Sequence, residues 1–274
     1  MAADIWVPAI LFLCMALFHV LRQKEISQSD FFSADYEIGA ASTFGTREVQ
    51  QDYFGARKNQ GAVLMVLADG IGADGEIAAK LSVDTFIDLF ENTTAVQKPQ
   101  YFFRRAANAA NRSIINTLEE RQGESSIAAV LIDGEQFFYT VVGNCRITVF
   151  RNGDLIPVSE GHTLDVLARH SYSEGRISRQ ETLELLENHR RYNVLGQDSF
   201  EDIEFLSKPL EIQSNDLIVV MSEGIFNTLR WIDIENILAQ KKSAQKLADE
   251  IISVVNSSSL PDKDNGTVLI YRRR

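Results

Sequence analysis

Short runs of apolar residues recur along the chain, and most have the length and residue types of β-strands. Eight such runs are rich in branched and aromatic side chains. Asp133-Gly134 and Asn152-Gly153 lie between consecutive runs and are typical of tight hairpins. The predicted strands are Tyr36–Thr43, Ala62–Ala68, Ile127–Ile132, Gln136–Val142, Arg146–Phe150, Asp154–Val158, Leu217–Met221 and Thr267–Tyr271.

Two longer segments show the spacing of amphipathic helices. Apolar residues recur about every 3.6 positions in Gly75–Phe90 and in Gln100–Glu120. A parallel sheet would require strands and helices to alternate strictly, whereas here several hairpin-linked strands follow one another between helices. The pattern therefore predicts an α+β fold with a largely antiparallel sheet system.

The first apolar stretch, Ile5–Leu21, contains no Asp, Glu, Lys or Arg. As a helix it would span about 25 Å, close to the ~30 Å hydrocarbon core of a bilayer. A cleaved signal peptide is disfavoured because no basic residue precedes the stretch and no small-x-small site follows it. A buried core helix is the other alternative. The terminal position of this stretch and the polar residues after it favour a single transmembrane anchor over residues 1–22, followed by a linker over 23–35. Because Arg22 and Lys24 lie just beyond the apolar stretch, we predict that the rest of the chain is cytoplasmic, at the cell membrane.

Charge and composition narrow the function classes. The 274 residues include 27 Lys and Arg against 38 Asp and Glu, which gives a formal net charge of −11. This acidic balance disfavours nucleic acid as a partner, so Arg190 and Arg191 are interpreted as part of an exposed polar surface. A hydrophobic content of 45% excludes a disordered acidic tail. Two cysteines cannot build a disulfide framework.

Three acidic residues lie at the ends of predicted apolar strands. Asp69 and Glu223 each follow such a strand and precede a glycine, and Asp264 lies shortly before the last strand. If these strand ends meet at one edge, the carboxylates form a cluster suited to a hard divalent ion such as Mg²⁺ or Mn²⁺. Each acidic residue taken alone is also consistent with an ordinary turn, because Asp-Gly is common after strands.

The segment Gly70–Gly75 satisfies the pattern G-x-G-x-x-G between a predicted strand and a predicted helix, which is typical of dinucleotide binding. Asp69 and Asp74 would place negative charge beside a pyrophosphate. The following segment is a loop and a second helix instead of a strand. Both observations disfavour the dinucleotide alternative.

Taken in chain order, eight short segments resemble the PPM (PP2C) family of metal-dependent serine/threonine phosphatases in its bacterial form. The family's motifs R-x-x-N-E-D, A-D-G, S-D-G and D-N-x-T are matched, with departures, around Arg47, Asp69, Glu223 and Asp264. The resemblance covers nearly all of the chain after the linker. The segments are Thr46–Asp52, Ala68–Ala78, Gly143–Arg146, His162, Gly175–Ser178, His189–Gly196, Ser222–Gly224 and Asp264–Thr267.

The resemblance implies a four-layer αββα sandwich over residues 36–274, with a flap subdomain at about 163–195, preceded by the transmembrane helix. It also implies a cofactor of two Mn²⁺ or Mg²⁺ ions. Asp69 would bridge the ions, and the Gly70 carbonyl and Asp264 would each bind one of them. Glu223 would fill the remaining carboxylate position.

The resemblance implies a catalytic role for Arg47 and Asp52. Arg47 would bind the substrate phosphate through its guanidinium fork. A metal-activated hydroxide would attack phosphorus in line and displace the serine or threonine alkoxide without a covalent intermediate.

Three positions depart from the family pattern. Gln51 stands where the family has Glu, Asn144 where it has Asp, and Glu223 where it has the shorter Asp. The first two remove negative charge from the metal site, and the third adds a methylene that is large against the ~0.5 Å tolerance of a catalytic site.

Two functions therefore stay open. One is a phosphoserine/phosphothreonine protein phosphatase at the cytoplasmic face of the membrane, with a phosphoprotein such as a membrane-associated Ser/Thr kinase or its targets as substrate. The other is a catalytically impaired pseudophosphatase that binds phosphoproteins or forms a scaffold at the membrane.

Overall fold

The computed structural model describes residues 35–92, 95–186, 190–198, 200 and 202–274. The predicted anchor over residues 1–22 lies outside these ranges, as does the predicted linker apart from Asp35. Within the described ranges, no helix is both long enough and apolar enough to cross a membrane.

Eleven strands and seven α-helices make up the described part of the chain. The strands are β1 (Tyr36–Thr43), β2 (Tyr53–Asn59), β3 (Ala62–Ile71), β4 (Glu124–Asp133), β5 (Gln136–Val142), β6 (Arg146–Arg151), β7 (Asp154–Pro157), β8 (Glu204–Phe205), β9 (Leu210–Glu211), β10 (Leu217–Met221) and β11 (Gly266–Arg273). The helices are α1 (Gly75–Glu91), α2 (Pro99–Leu118), α3 (Leu164–Ser173), α4 (Arg179–Leu185), α5 (Glu223–Phe226), α6 (Trp231–Leu238) and α7 (Ala244–Ser257).

The strands form two antiparallel sheets that pack face to face. One sheet has the order β1-β11-β10-β6-β7 and the other β2-β3-β4-β5-β8, with β9 pairing beside β8 on β5. Helices α1 and α2 cover the second sheet, and α5, α6 and α7 cover the first, so three apolar cores separate four layers. This arrangement confirms the predicted antiparallel sheets and excludes the βαβ unit that a dinucleotide site would need.

Burial on both faces explains why the central strands read as continuous apolar runs. In β3, Leu64 and Val66 point toward α1 and α2, whereas Val63 and Met65 point toward the opposite sheet. Successive side chains of a strand point to opposite faces, so a strand in the middle of a sandwich needs apolar residues at every position. The end of β3 positions the candidate site.

One predicted boundary is wrong in an informative way. Strand β3 does not end at Ala68 but continues through Ile71, because Asp69 and Gly70 pair with Ser126 and Ser125 of β4. The interpretation of Asp69-Gly70 as a turn is therefore wrong. The Asp69 carboxylate is fixed by a sheet ladder and not by a flexible loop.

Candidate metal centre

The candidate site lies where β3 and β10 end and where β2 and β11 begin. Asp52, which immediately precedes β2, is 6% exposed, and its Oδ2 accepts a hydrogen bond from Ser222 Oγ at 2.7 Å. Ser222 follows β10, and its Oγ accepts a hydrogen bond from the backbone N of Thr267 in β11 at 2.8 Å. This chain of bonds holds three strand ends together and brings Asp52 close to Asp69.

Asp52 is buried and the Asp69 side chain is 13% exposed, and the two carboxylates lack sufficient positive charge around them. Burial raises the pKa of Asp52 to about 6, partly offset by the hydrogen bond from Ser222. Burial, followed by repulsion from Asp52, raises the pKa of Asp69 well above its usual range. Asp52 Oδ1 is buried without a hydrogen-bond partner among the described residues. A cation placed beside these oxygens would offset both the desolvation and the repulsion.

Glu223 is the first residue of α5 and reaches into the same site. Its Oε1 accepts a hydrogen bond from Asn227 Nδ2 at 2.9 Å, one helical turn further on, which fixes the direction of the side chain. Its Oε2 lies 3.1 Å from Arg191 Nη1. Glu223 and Asp264 both contribute to the repulsion that raises the pKa of Asp69, so the three predicted carboxylate ligands do lie in one neighbourhood.

Arg191 is a site residue that the sequence interpretation placed wrongly on an exposed surface. Its side chain is 27% exposed, and Nη1 lies 3.1 Å from Glu223 Oε2 and 3.9 Å from Asp69 Oδ2. The same nitrogen donates to Asn144 Oδ1 at 3.4 Å. Backbone bonds connect residues 190–192 to residues 162–164 and so direct this side chain inward.

Arg47 lies on the open side of the site and is paired with Asp264. Arg47 Nε donates to Asp264 Oδ1 at 3.1 Å, and Nη1 lies 3.3 Å from Asp262 Oδ1. The hydrogen bond that Arg47 donates to Asp264 raises the pKa of Arg47. The Arg47 side chain is 46% exposed, so its guanidinium group is accessible to a phosphate that arrives from solvent.

Gln51 and Gly70 form the floor next to Asp69. The backbone N of Gly70 donates to the carbonyl of Gln51 at 3.2 Å, and a Cβ at Gly70 would lie 2.2 Å from the Gly75 carbonyl oxygen. Only glycine therefore fits at position 70. Gln51 Nε2 donates to the Gly72 carbonyl at 2.7 Å. A carboxylate could not make this bond, so the amide at position 51 closes the turn before α1.

Asn144 is 7% exposed and lies in the loop between β5 and β6. Its Oδ1 accepts hydrogen bonds from Ser126 Oγ at 3.0 Å and from Arg191. His162 supports the loop from behind, because its Nδ1 accepts a bond from Gly143 N at 3.2 Å and its own N donates to the Gly143 carbonyl. Burial lowers the pKa of His162, which favours the neutral imidazole that this acceptor role requires.

The donor set fits a hard divalent cation in its chemistry. Its carboxylates are oxygen donors, and two of them, Asp52 and Asp69, have too little compensating positive charge. In the part of the chain that the structure describes, however, no three His, Cys, Asp or Glu side chains converge closely enough to hold a metal ion. Asp264 and Glu223 are instead engaged by Arg47 and Arg191.

A family model for protein phosphatase 2C matches residues 41–262, which include every residue described for this site except Asp264 and Thr267. The chain belongs to the protein phosphatase 2C family. Within curated proteins, it is 26% identical over 224 residues to the serine/threonine phosphatase stp of Listeria welshimeri, covering 77% of this chain and 84% of the relative.

Solved structures give the same fold. The Streptococcus agalactiae serine/threonine phosphatase superposes with a TM-score of 0.74 at 23% identity, covering 87% of this chain and all of that one. The catalytic domain of the serine/threonine protein phosphatase PstP, in complex with two manganese ions, has a TM-score of 0.68 at 21% identity, covering 87% of this chain and 98% of that domain. The αββα sandwich of the PP2C family is thus the fold of this chain.

Proposed function

We propose that this member of the PP2C family is a metal-dependent phosphatase of phosphoserine and phosphothreonine proteins that acts at the cytoplasmic face of the cell membrane. The observation that carries the proposal is the pair of Asp52 and Asp69, one buried and the other 13% exposed, which lacks compensating positive charge and is flanked by the accessible Arg47. A divalent cation is the natural complement of the pair, and a phosphate is the natural complement of the arginine.

Each residue has a role in this proposal. Asp69, the Gly70 carbonyl, Glu223 and Asp264 would hold Mn²⁺ or Mg²⁺, and the ions would supply an activated water and neutralise charge on the phosphoryl group. Arg47 binds and orients the phosphate of the substrate. Asp52 is a positioning residue whose bond to Ser222 keeps the ends of β10 and β11 in register with Asp69.

Two features support the choice of substrate and metal. The Listeria relatives are named serine/threonine phosphatases, and the related PstP domain binds two manganese ions. A phosphocysteine intermediate is disfavoured, because the one cysteine of the described residues, Cys145, is buried and burial raises the pKa of its thiol well above the usual range.

The activity test uses the full-length protein in mild detergent. Phosphate release from phosphothreonine, phosphoserine and phosphotyrosine peptides is measured in EDTA, in Mg²⁺ and in Mn²⁺. We expect release from the first two peptides, only with a divalent ion present. A preference for phosphotyrosine would contradict the substrate class, and a rate unaffected by EDTA would contradict metal dependence.

A pseudophosphatase is the second candidate, and one observation favours it. Arg191 occupies the space between Glu223, Asn144 and Asp69, where its charge competes with a metal ion. Such a protein would bind a phosphothreonine peptide with micromolar affinity, measured by calorimetry, and release no phosphate from it in millimolar Mn²⁺. Turnover by the wild-type protein excludes this candidate.

Membrane attachment rests on the uncharged stretch Ile5–Leu21 and the basic residues that follow it. We expect the full-length protein to sediment with membranes and to resist extraction by high salt and alkaline carbonate. Deletion of Met1–Gln23 should move it to the supernatant. Continued sedimentation of the deletion variant, with circular dichroism showing a folded protein, would contradict the anchor.

A further inference from the structure

A positive charge of the chain itself lies at the Asn144 and Glu223 side of the site. Arg191 Nη1 is within 3.1 Å of Glu223 Oε2, 3.4 Å of Asn144 Oδ1 and 3.9 Å of Asp69 Oδ2. One nitrogen thus faces three oxygens from three different parts of the fold. A converging set of oxygens around one positive centre is the arrangement that a bound cation adopts.

We propose that Arg191 is a built-in cation that takes the place of one divalent ion at the Asn144 and Glu223 side of the site. The inference rests on the proposed function, since it assumes that the remaining carboxylates hold a metal. Mn²⁺ or Mg²⁺ ions would still bind through Asp69 and Asp264. We therefore expect this protein to bind one divalent ion fewer than a variant with a carboxylate restored at position 144.

The charge balance supports the replacement of a divalent ion by Arg191. Two carboxylates at positions 144 and 223 would be neutralised by one divalent cation. Here Asn144 carries no charge, and the single negative charge of Glu223 is neutralised by the single positive charge of Arg191. Both arrangements are neutral, whereas an asparagine at 144 without an arginine nearby would leave only one carboxylate for a divalent ion.

The length and contacts of the side chains also support the replacement of a divalent ion by Arg191. Glu223 is one methylene longer than aspartate, and its Oε1 is held by Asn227 Nδ2 while Oε2 meets the guanidinium. The backbone of Arg191 is fixed by an antiparallel bridge to Thr163, and the neighbouring Tyr192 N donates to the His162 carbonyl at 3.0 Å. The arginine is therefore held in position by the fold and is not a surface side chain that happens to point inward.

The test counts the Mn²⁺ ions bound by full-length protein, using Mn²⁺ alone as the titrant in calorimetry. The double variant Asn144→Asp/Arg191→Gln should bind one more Mn²⁺ than the wild type, with an affinity for the added ion at least about tenfold above any binding that the wild type shows there. Arg191→Lys keeps the charge and should keep the wild-type count. Arg190→Gln, at the exposed neighbouring position, is the matched control and should also leave the count unchanged.

Thermal unfolding in EDTA gives a second readout that needs neither catalysis nor metal. Arg191→Gln should lower the Tm in EDTA, because Glu223 and Asp69 lose their counter-charge. Arg105→Gln, which removes an exposed arginine on α2, should not. An unchanged Tm together with an unchanged Mn²⁺ count in the double variant overturns the inference. If neither the wild type nor any variant binds Mn²⁺, the metal dependence of the proposed function fails, and the inference fails with it.

Discussion

Asp69→Asn should lower the Mn²⁺-dependent rate of phosphate release by about 10³-fold or more. Asp69 is the only predicted ligand assigned to both ions, and its backbone is fixed by the ladder between β3 and β4. The measurement compares initial rates of wild type and variant on a phosphothreonine peptide across a Mn²⁺ titration.

Asp88→Asn is the matched control, because Asp88 is exposed on α1 and the same charge is removed far from the strand ends. We expect the control to retain the wild-type rate. A rate within about tenfold of wild type for Asp69→Asn would show that hydrolysis does not depend on this carboxylate, and the assignment of the metal centre would then be wrong.

Asp52→Asn should change stability and activity in opposite directions. In EDTA at pH 7 we expect the free energy of unfolding to rise by up to about 3 kcal/mol, because a folded-state pKa of about 6 against an ordinary 3.8 corresponds to that cost for keeping Asp52 ionised. The asparagine can still accept the bond from Ser222 Oγ. Activity in Mn²⁺ should fall by roughly 10- to 100-fold, the range typical of groups that orient a metal ligand.

The stability difference between Asp52→Asn and the wild type depends on pH. Because the pKa of Asp52 is raised on folding, the ionised group disfavours the folded state at pH values above about 6. The disadvantage shrinks as pH falls through this pKa and is absent below the unfolded value near 4. Chemical denaturation of both proteins in EDTA at pH 4 and pH 7 checks this. A variant that is less stable than wild type at pH 7, while Asp88→Asn is unchanged, would contradict the account of the cluster.

Most of the fold was predictable because the central strands are buried on both faces. Leu217–Met221, an uninterrupted apolar run, is a strand with the predicted bounds. Tyr36–Thr43 and Gln136–Val142 also have the predicted bounds, although each contains polar residues. Strand β2 was not predicted. Its second half contains Arg57, Lys58 and Asn59 at the edge of a sheet, and such a polar edge gives little hydrophobic pattern to read.

The carboxylates of the site were predictable for a different reason. Asp69 and Glu223 each follow an uninterrupted apolar run in the sequence, and the sandwich brings the ends of β3 and β10 together. Arg191 could not be located in this way. It reaches Glu223 across 32 positions and Asn144 across 47, through a bridge to Thr163 that leaves no local pattern. The inward direction of an arginine next to a second arginine depends on tertiary contacts alone.

The structure also gives the departures from the family pattern a physical meaning. Gln51 supplies an amide donor to the Gly72 carbonyl, and Asn144 accepts bonds from Ser126 and Arg191. Both residues are thus integrated into the packing around the carboxylates. The neutral amides at these positions therefore have a structural role, and their presence does not by itself indicate a loss of function.

Metal-dependent phosphatase activity is tested most directly by the dependence of phosphate release on Mn²⁺ concentration, measured with the full-length protein and a phosphothreonine peptide. We expect saturable activation, with a half-activating concentration that matches the Kd for Mn²⁺ in the same buffer, and a rate in EDTA no higher than that of Asp69→Asn. Saturation of the protein with Mn²⁺ without phosphate release above the Asp69→Asn rate would contradict this activity.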